Sequence, residues 1–167
     1  ILQPGPGVGG HCIAVDPWFI VSETPEQARL IRTAREVNDS KPDWVIEKVK
    51  AAAADFLLSN PDKTVKDITI ACYGIAFKPD IDDLRESPAM KITADIAGMQ
   101  FGEVLVVEPN ITLLPKILES CYLTDIEGAM RADIAVILVE HKEFQDGRLK
   151  KTGNVIWIDT KGVNESL

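Results

Sequence analysis

Four short apolar runs punctuate the second part of the chain: Ile68-Thr69-Ile70-Ala71-Cys72-Tyr73, Val104-Leu105-Val106-Val107, Ile134-Ala135-Val136-Ile137-Leu138-Val139 and Val155-Ile156-Trp157-Ile158. They lack the strict polar alternation of a half-wet strand, so each predicts a strand buried on both faces. Helical patterns lie between them. Ser87-Pro88-Ala89 offers an N-cap and a first-turn proline for a helix running through Ile92 and Ile96, and Thr124-Asp125-Ile126-Glu127 has the spacing of a capping box. A weaker run around Cys121 to Leu123 predicts a fifth strand. Strands alternating with helices define an α/β protein: a Rossmann-like parallel sheet with helices on both faces.

The first part of the chain reads differently. Thr24-Pro25-Glu26-Gln27 spells a capping box with proline at the first helical position, after which Leu30, Ala34 and Val37 recur at helical spacing, opposite Glu26, Arg29 and Glu36. Ser40-Lys41-Pro42-Asp43 interrupts this pattern, and Val45, Val49, Ala52 and Phe56 carry the next stripe. The expectation is one long helix of about 30 residues, kinked near Pro42, where the usual globular helix has about 8–20. Such a length suits a subunit contact, so a homodimer through this helix is expected.

Ahead of it lies Pro4-Gly5-Pro6-Gly7-Val8-Gly9-Gly10-His11-Cys12-Ile13-Ala14-Val15-Asp16-Pro17-Trp18. So dense a mixture of glycine and proline excludes regular structure and predicts a shaped loop. Gly5 to Gly10 satisfies G-x-G-x-x-G, but no strand precedes it, so the dinucleotide reading is rejected. Two readings fit Cys12: a small packing residue, or an accessible thiol whose pKa is lowered by exposed backbone amides. Asp16 can reach Cys12 if residues 12–16 form a helical turn, which Pro17 disfavours.

A net charge of −8, from 26 acidic and 18 basic residues, argues against nucleic acid or an anionic membrane as partner. Any phosphate-bearing ligand needs a few focused cations. No apolar run approaches a membrane span, and no signal segment is evident at the start. Three scattered cysteines, at 12, 72 and 121, form neither a disulfide framework nor a zinc pattern, so a reducing cytoplasmic setting is expected and Cys72 and Cys121 read as structural. Because Ile1 is not an initiator methionine, the chain is expected to be the tail of a longer protein.

Open parallel sheets bind ligands at the carboxyl ends of their strands. That rule selects the loop from Gly74 to Pro88, the segment Glu108-Pro109-Asn110, and Asp159-Thr160-Lys161-Gly162. Lys78, Arg85 and Lys161 would thereby gather at one edge, as a diphosphate requires. Asp80, Asp82 and Asp83 could instead neutralise them in a solvated loop, and they lack the glycine and terminal glutamate of an EF-hand. His141 is assigned no role.

Taken together, Gly7 to Pro17, Ala34-Arg35-Glu36-Val37-Asn38-Asp39, Gly74-Ile75-Ala76-Phe77-Lys78-Pro79, Asp83 to Pro88 and Asp159 to Gly162 resemble the UDP-glucose/GDP-mannose dehydrogenase family over the length of the chain. Within it, His11, Val15 to Trp18 and Val107 to Asn110 most resemble a branch acting on an N-acetylated amino sugar. The resemblance implies a four-electron oxidation of a sugar C6 alcohol to a carboxylate, consuming two NAD. Cys12 then matches the nucleophile that captures the aldehyde, and Asp16 the carboxylate that orients or activates water near the thioester. Gly9, Phe77 and Lys78 match positions that contact the UDP-sugar, Lys161 one near its diphosphate, and Arg85 one reaching the NAD pyrophosphate. Arginine is frequent in the family where this chain has Lys161, which bears on bidentate phosphate geometry. Residues 1–60 correspond to the end of a catalytic loop plus a central dimerisation region, and 61–167 to a carboxy-terminal UDP-sugar-binding domain. The family's amino-terminal NAD domain is absent from the sequence, so these residues alone are expected to bind UDP without turnover.

Overall fold

The computed structural model describes residues 3–145, 149 and 155–162. Among these residues five strands form, β1 (Thr69–Tyr73), β2 (Glu103–Val107), β3 (Tyr122–Thr124), β4 (Ile134–Ile137) and β5 (Ile156–Asp159). All pair in parallel, in the order β3-β2-β1-β4-β5. From β1 the chain adds β2 and β3 on one side, then crosses back to add β4 and β5 on the other. This reversal opens a crevice outside the carboxyl ends of β1 and β4, where open α/β sheets bind ligands.

Both faces of the sheet are covered over β1, β2 and β4, as their uninterrupted apolar runs require, whereas β5 at the sheet edge is only half-buried, short of the expectation for its run. Ile70 and Cys72 join one buried cluster, with Val104, Val106, Ile134 and Val136, while Ala71, Tyr73, Leu105 and Ile137 belong to the other. The first is roofed by α3 (Lys41–Ser59) and α4 (Pro88–Gly98), the second by α5 (Ile126–Ala129) and α6 (Lys142–Gln145). Cys72 is fully buried and burial pushes its thiol up to about 12; Cys121 is nearly as enclosed and is raised for the same reason. Both fit the structural reading. Of the expected caps, Ser87 behaves as written: its Oγ accepts from the Met90 amide and donates to the Ile75 carbonyl. Near Thr124 the cap falls one residue later, on Asp125, whose carboxylate accepts from the Gly128 amide.

The long helix is present as α2 (Arg29–Asp39) followed by α3, 31 residues broken at Ser40. Pro42 has no N–H to donate back to Asn38, which leaves the break where the sequence places it. The start is displaced. Thr24 does not cap this helix; its hydroxyl donates to the Ile20 carbonyl and closes the preceding helix α1 (Asp16–Glu23), so α2 begins only at Arg29. The α3 stripe of Val45, Val49, Ala52 and Phe56 is buried in the sheet's own core. By contrast α2 buries no residue, leaving Leu30 81% and Val37 64% exposed.

Candidate nucleotide and thiol site

The crevice at the β1/β4 reversal is a real cavity of roughly 210 Å³. On the sheet side its walls are Phe77, Lys78, Leu138 and Val139; Lys161 comes from the end of β5, and the glycine loop from residue 3 to Gly9 closes it. The sequence-predicted residues Gly9, Phe77, Lys78 and Lys161 therefore share one space. Lys78 is exposed, with Nζ 5.7 Å from the Phe77 ring centroid and no ion-pair partner among the described residues. Lys161 Nζ donates to the Pro4 carbonyl at 2.6 Å and so ties the glycine loop to the rim. Room for a phosphate group with two cations beside it is thus present in a chain of net charge −8.

The glycine loop reaches this position by close contact that only glycine allows. A Cβ on Gly9 would lie 2.2 Å from the Glu86 carbonyl oxygen and 2.7 Å from Pro88 Cδ, and one on Gly10 would press on the Phe77 ring. Asn38, at the end of α2, holds the same loop from the other side. Its Oδ1 accepts from the Val8 amide at 2.8 Å, and its Nδ2 donates to the Val8 carbonyl at 3.5 Å. This use of Asn38 was not legible beforehand, although a polar amide in an otherwise amphipathic helix end was the available signal.

Cys12 and Asp16 do not line the cavity; both are exposed on the turn just beyond it, whose Ile13 does. The backbone condition for their pairing is met despite Pro17, because the Asp16 amide donates to the Cys12 carbonyl at 2.8 Å. Proline in the first turn of α1 forfeits only an amide that a helix start leaves unpaired. Arg85 is also outside the cavity. Its guanidinium grips Asp83 through Nε at 3.0 Å and Nη2 at 2.6 Å. Hydrogen bonds from Arg85, side chain first, hold the Asp83 carboxyl down to about 2, with smaller attraction from Arg85 and His11. Attraction to Cys12 is one of the influences raising Arg85, so this pair neighbours the thiol turn. The three cations thus divide, two on the cavity and one toward the thiol, and the neutralising reading of the acidic residues holds for Arg85 alone.

The segment Glu108-Pro109-Asn110 is turned inward. Glu108 is 3% exposed, and His141, for which no role was expected, is completely buried against it. A buried carboxylate and imidazole beneath a sheet end leave no pattern that periodicity could detect.

These features define an α/β protein with a parallel sheet, a cavity at its strand ends and a thiol-bearing loop at the rim of that cavity. Residues 71–165 match the UDP-binding domain of the UDP-glucose/GDP-mannose dehydrogenase family and residues 1–40 match its central domain, and the chain belongs to that family. It is 59% identical over 165 residues to the UDP-N-acetyl-D-mannosamine dehydrogenase of Salmonella typhi, covering 98% of this chain and 39% of the relative. It is 54% identical over 164 residues to the NDP-N-acetyl-D-galactosaminuronic acid dehydrogenase of Ralstonia solanacearum, covering 98% of this chain and 37% of that protein. Among solved structures, the UDP-N-acetyl-mannosamine dehydrogenase of S. aureus superposes with a TM-score of 0.69 at 30% identity, covering 100% of this chain and 41% of the other. The chain spans about two fifths of the length of the curated relatives it matches. Among the described residues no helix is long and apolar enough to cross a membrane.

Proposed function

We propose that the chain serves as the central and UDP-binding portion of an NAD-dependent UDP-sugar 6-dehydrogenase. The substrate is UDP-N-acetylmannosamine, converted to its uronate as a precursor of surface polysaccharide in the cytoplasm. The single observation that carries the reading is the cavity at the β1/β4 reversal, where Gly9, Phe77, Lys78 and Lys161 converge. Lys78 and Lys161 take the diphosphate, Lys161 exchanging the Pro4 carbonyl for phosphate oxygens, and Phe77 offers a ring face beside it.

The Cys12 thiolate adds to the C6 aldehyde left by the first oxidation, giving a thiohemiacetal, because an aldehyde yields hydride readily only after a nucleophile has added. The second oxidation leaves a thioester on Cys12. Asp16 orients water and takes one of its protons as the oxygen adds; the C–S bond then breaks, returning the thiolate, and the acid so formed gives its remaining proton to solvent to leave as the carboxylate. NAD, when bound, accepts the two electrons and one hydrogen of each oxidation. Arg85 fits a contact to its pyrophosphate, being an exposed guanidinium only part of which is committed to Asp83. The loop after β1, Gly74-Ile75-Ala76-Phe77, lacks the spacing of a dinucleotide cradle, so these residues alone bind UDP and do not turn over. The exposed Leu30 and Val37 face of α2 pairs with a second copy.

Calorimetric titration of UDP and GDP tests the reading. UDP binds more tightly than GDP, and Lys78→Ala weakens UDP by roughly 10- to 100-fold, the usual worth of a charge-assisted hydrogen bond. Equal affinity for the two nucleotides, or indifference to Lys78→Ala, overturns it. Val37→Glu shifts the sedimentation of the chain from dimer to monomer. The relative acting on an N-acetyl-galactosaminuronic acid nucleotide supplies the second reading, a different N-acetylated sugar in the same site.

A further inference from the structure

We propose that the buried Glu108–His141 pair is a positioning clamp that sets where Phe77 and Lys78 stand in the cavity, an inference that rests on the function proposed above. Neither residue lines the cavity. Glu108 follows β2, where dinucleotide-binding sheets present a carboxylate to ribose, but here that carboxylate is sealed and fully used. Its Oε2 accepts from the Ile75 amide at 2.8 Å, the Ala76 amide at 3.2 Å and His141 Nε2 at 3.0 Å. Oε1 accepts from the amide and the side-chain Nδ2 of Asn110, both at 3.2 Å.

His141 completes the arrangement at the far end of the same segment. Its Nδ1 faces two donors, the Asp80 amide at 2.9 Å and Asn110 Nδ2 at 3.1 Å, so Nδ1 is the bare nitrogen and Nε2 carries the proton given to Glu108. Asp80 needs holding, since its φ of 60° is left-handed, and its own carboxylate also accepts from the Lys142 amide at 3.0 Å. Segment 75–80 is thereby gripped at Ile75 and Ala76 by Glu108 and at Asp80 by His141, and Phe77 and Lys78 project from between the two grips. The Phe144 ring packs edge-on against the imidazole at 5.3 Å and helps enclose it.

The test is UDP calorimetry on the 167-residue chain together with amide hydrogen exchange. His141→Phe removes both ring nitrogens and lowers UDP affinity by about tenfold, the worth of lost buried hydrogen bonds. It also speeds exchange of the Asp80 amide, with the Cys72 amide of β1 unchanged. His141→Asn keeps an acceptor where Nδ1 stood and recovers most of both losses. A histidine that merely fills the core gives the opposite: His141→Asn is no better than His141→Phe, and the β1 amides exchange faster as well. That outcome, or unchanged UDP affinity in His141→Phe while Lys78→Ala still weakens binding, overturns the clamp and leaves the function standing. No uptake of UDP by the unmodified chain overturns the function and the clamp with it.

Discussion

The two walls of the site are built by opposite means. The sheet wall, carrying Phe77 and Lys78, hangs from strands buried on both faces and from Glu108 and His141 beneath them. The loop wall, carrying Cys12, is attached to the rest by contacts near the surface: Asn38 to Val8, Lys161 to Pro4, and Gly9 against Glu86 and Pro88. Beyond it α1 and α2 bury only Val21 between them. On the function proposed above, stability and the Phe77 and Lys78 contacts to the nucleotide fall to the first wall, while the second adds Gly9 to the cavity and carries the reactive thiol. On that function the thiol must meet an aldehyde, so it has to be reachable, and reachability excludes the burial that holds the other wall in place.

The largest expected effect breaks the comparison on the reactive side alone. If the proposed function holds, Cys12→Ala in the full-length dehydrogenase reduces uronate formation by roughly a thousandfold or more, the scale seen when a covalent nucleophile is removed. UDP affinity is unchanged, because Cys12 lies outside the cavity. Product analysis and calorimetry on the same variant check both halves. A parallel fall in UDP affinity would join what the structure separates.

Gly9→Ala comes next and acts through sterics. The added methyl falls 2.2 Å from the Glu86 carbonyl oxygen, which is backbone and cannot swing aside. Overpacking of this kind costs about 1–3 kcal/mol. Since the sheet wall does not depend on this contact, the loss shows as detachment of the loop, read as faster proteolysis near residues 3–12, with little change in global denaturant unfolding.

The same contrast explains what was legible in the sequence. The strands, their parallel sense and the Ser87 cap follow from local pattern, because each apolar run needs cover on both sides whatever surrounds it. So does the burial of Val45, Val49, Ala52 and Phe56. Phe77 was placed by the family resemblance, and Lys78 and Lys161 by the rule that strand ends carry sites. Arg85 was gathered with them by the same rule and stands apart, since Asp83, two residues away, captures it first. Asn38, Glu108 and His141 were out of reach for another reason. Their partners lie 30 or more residues distant, and a hydrogen bond across that separation leaves no periodicity on the chain. Thr24 misled because a hydroxyl can cap a helix ahead of it or close one behind it, and the sequence permits both.

The smallest effect sharpens the comparison most. Asn38→Ala removes the pair of hydrogen bonds to Val8 and leaves that half-buried amide to find water, at a cost of about 1 kcal/mol. Asn38 does not itself line the cavity, so the expected outcome is unchanged nucleotide affinity. What changes is the placement of the Cys12 turn four residues further on. In the intact enzyme this appears as a severalfold fall in kcat for acid formation at unaltered KM, and in the isolated chain as faster exchange of the Val8 amide. If instead KM rises and kcat holds, the loop wall is contributing binding rather than reactivity, and the division of labour between the two walls is wrong.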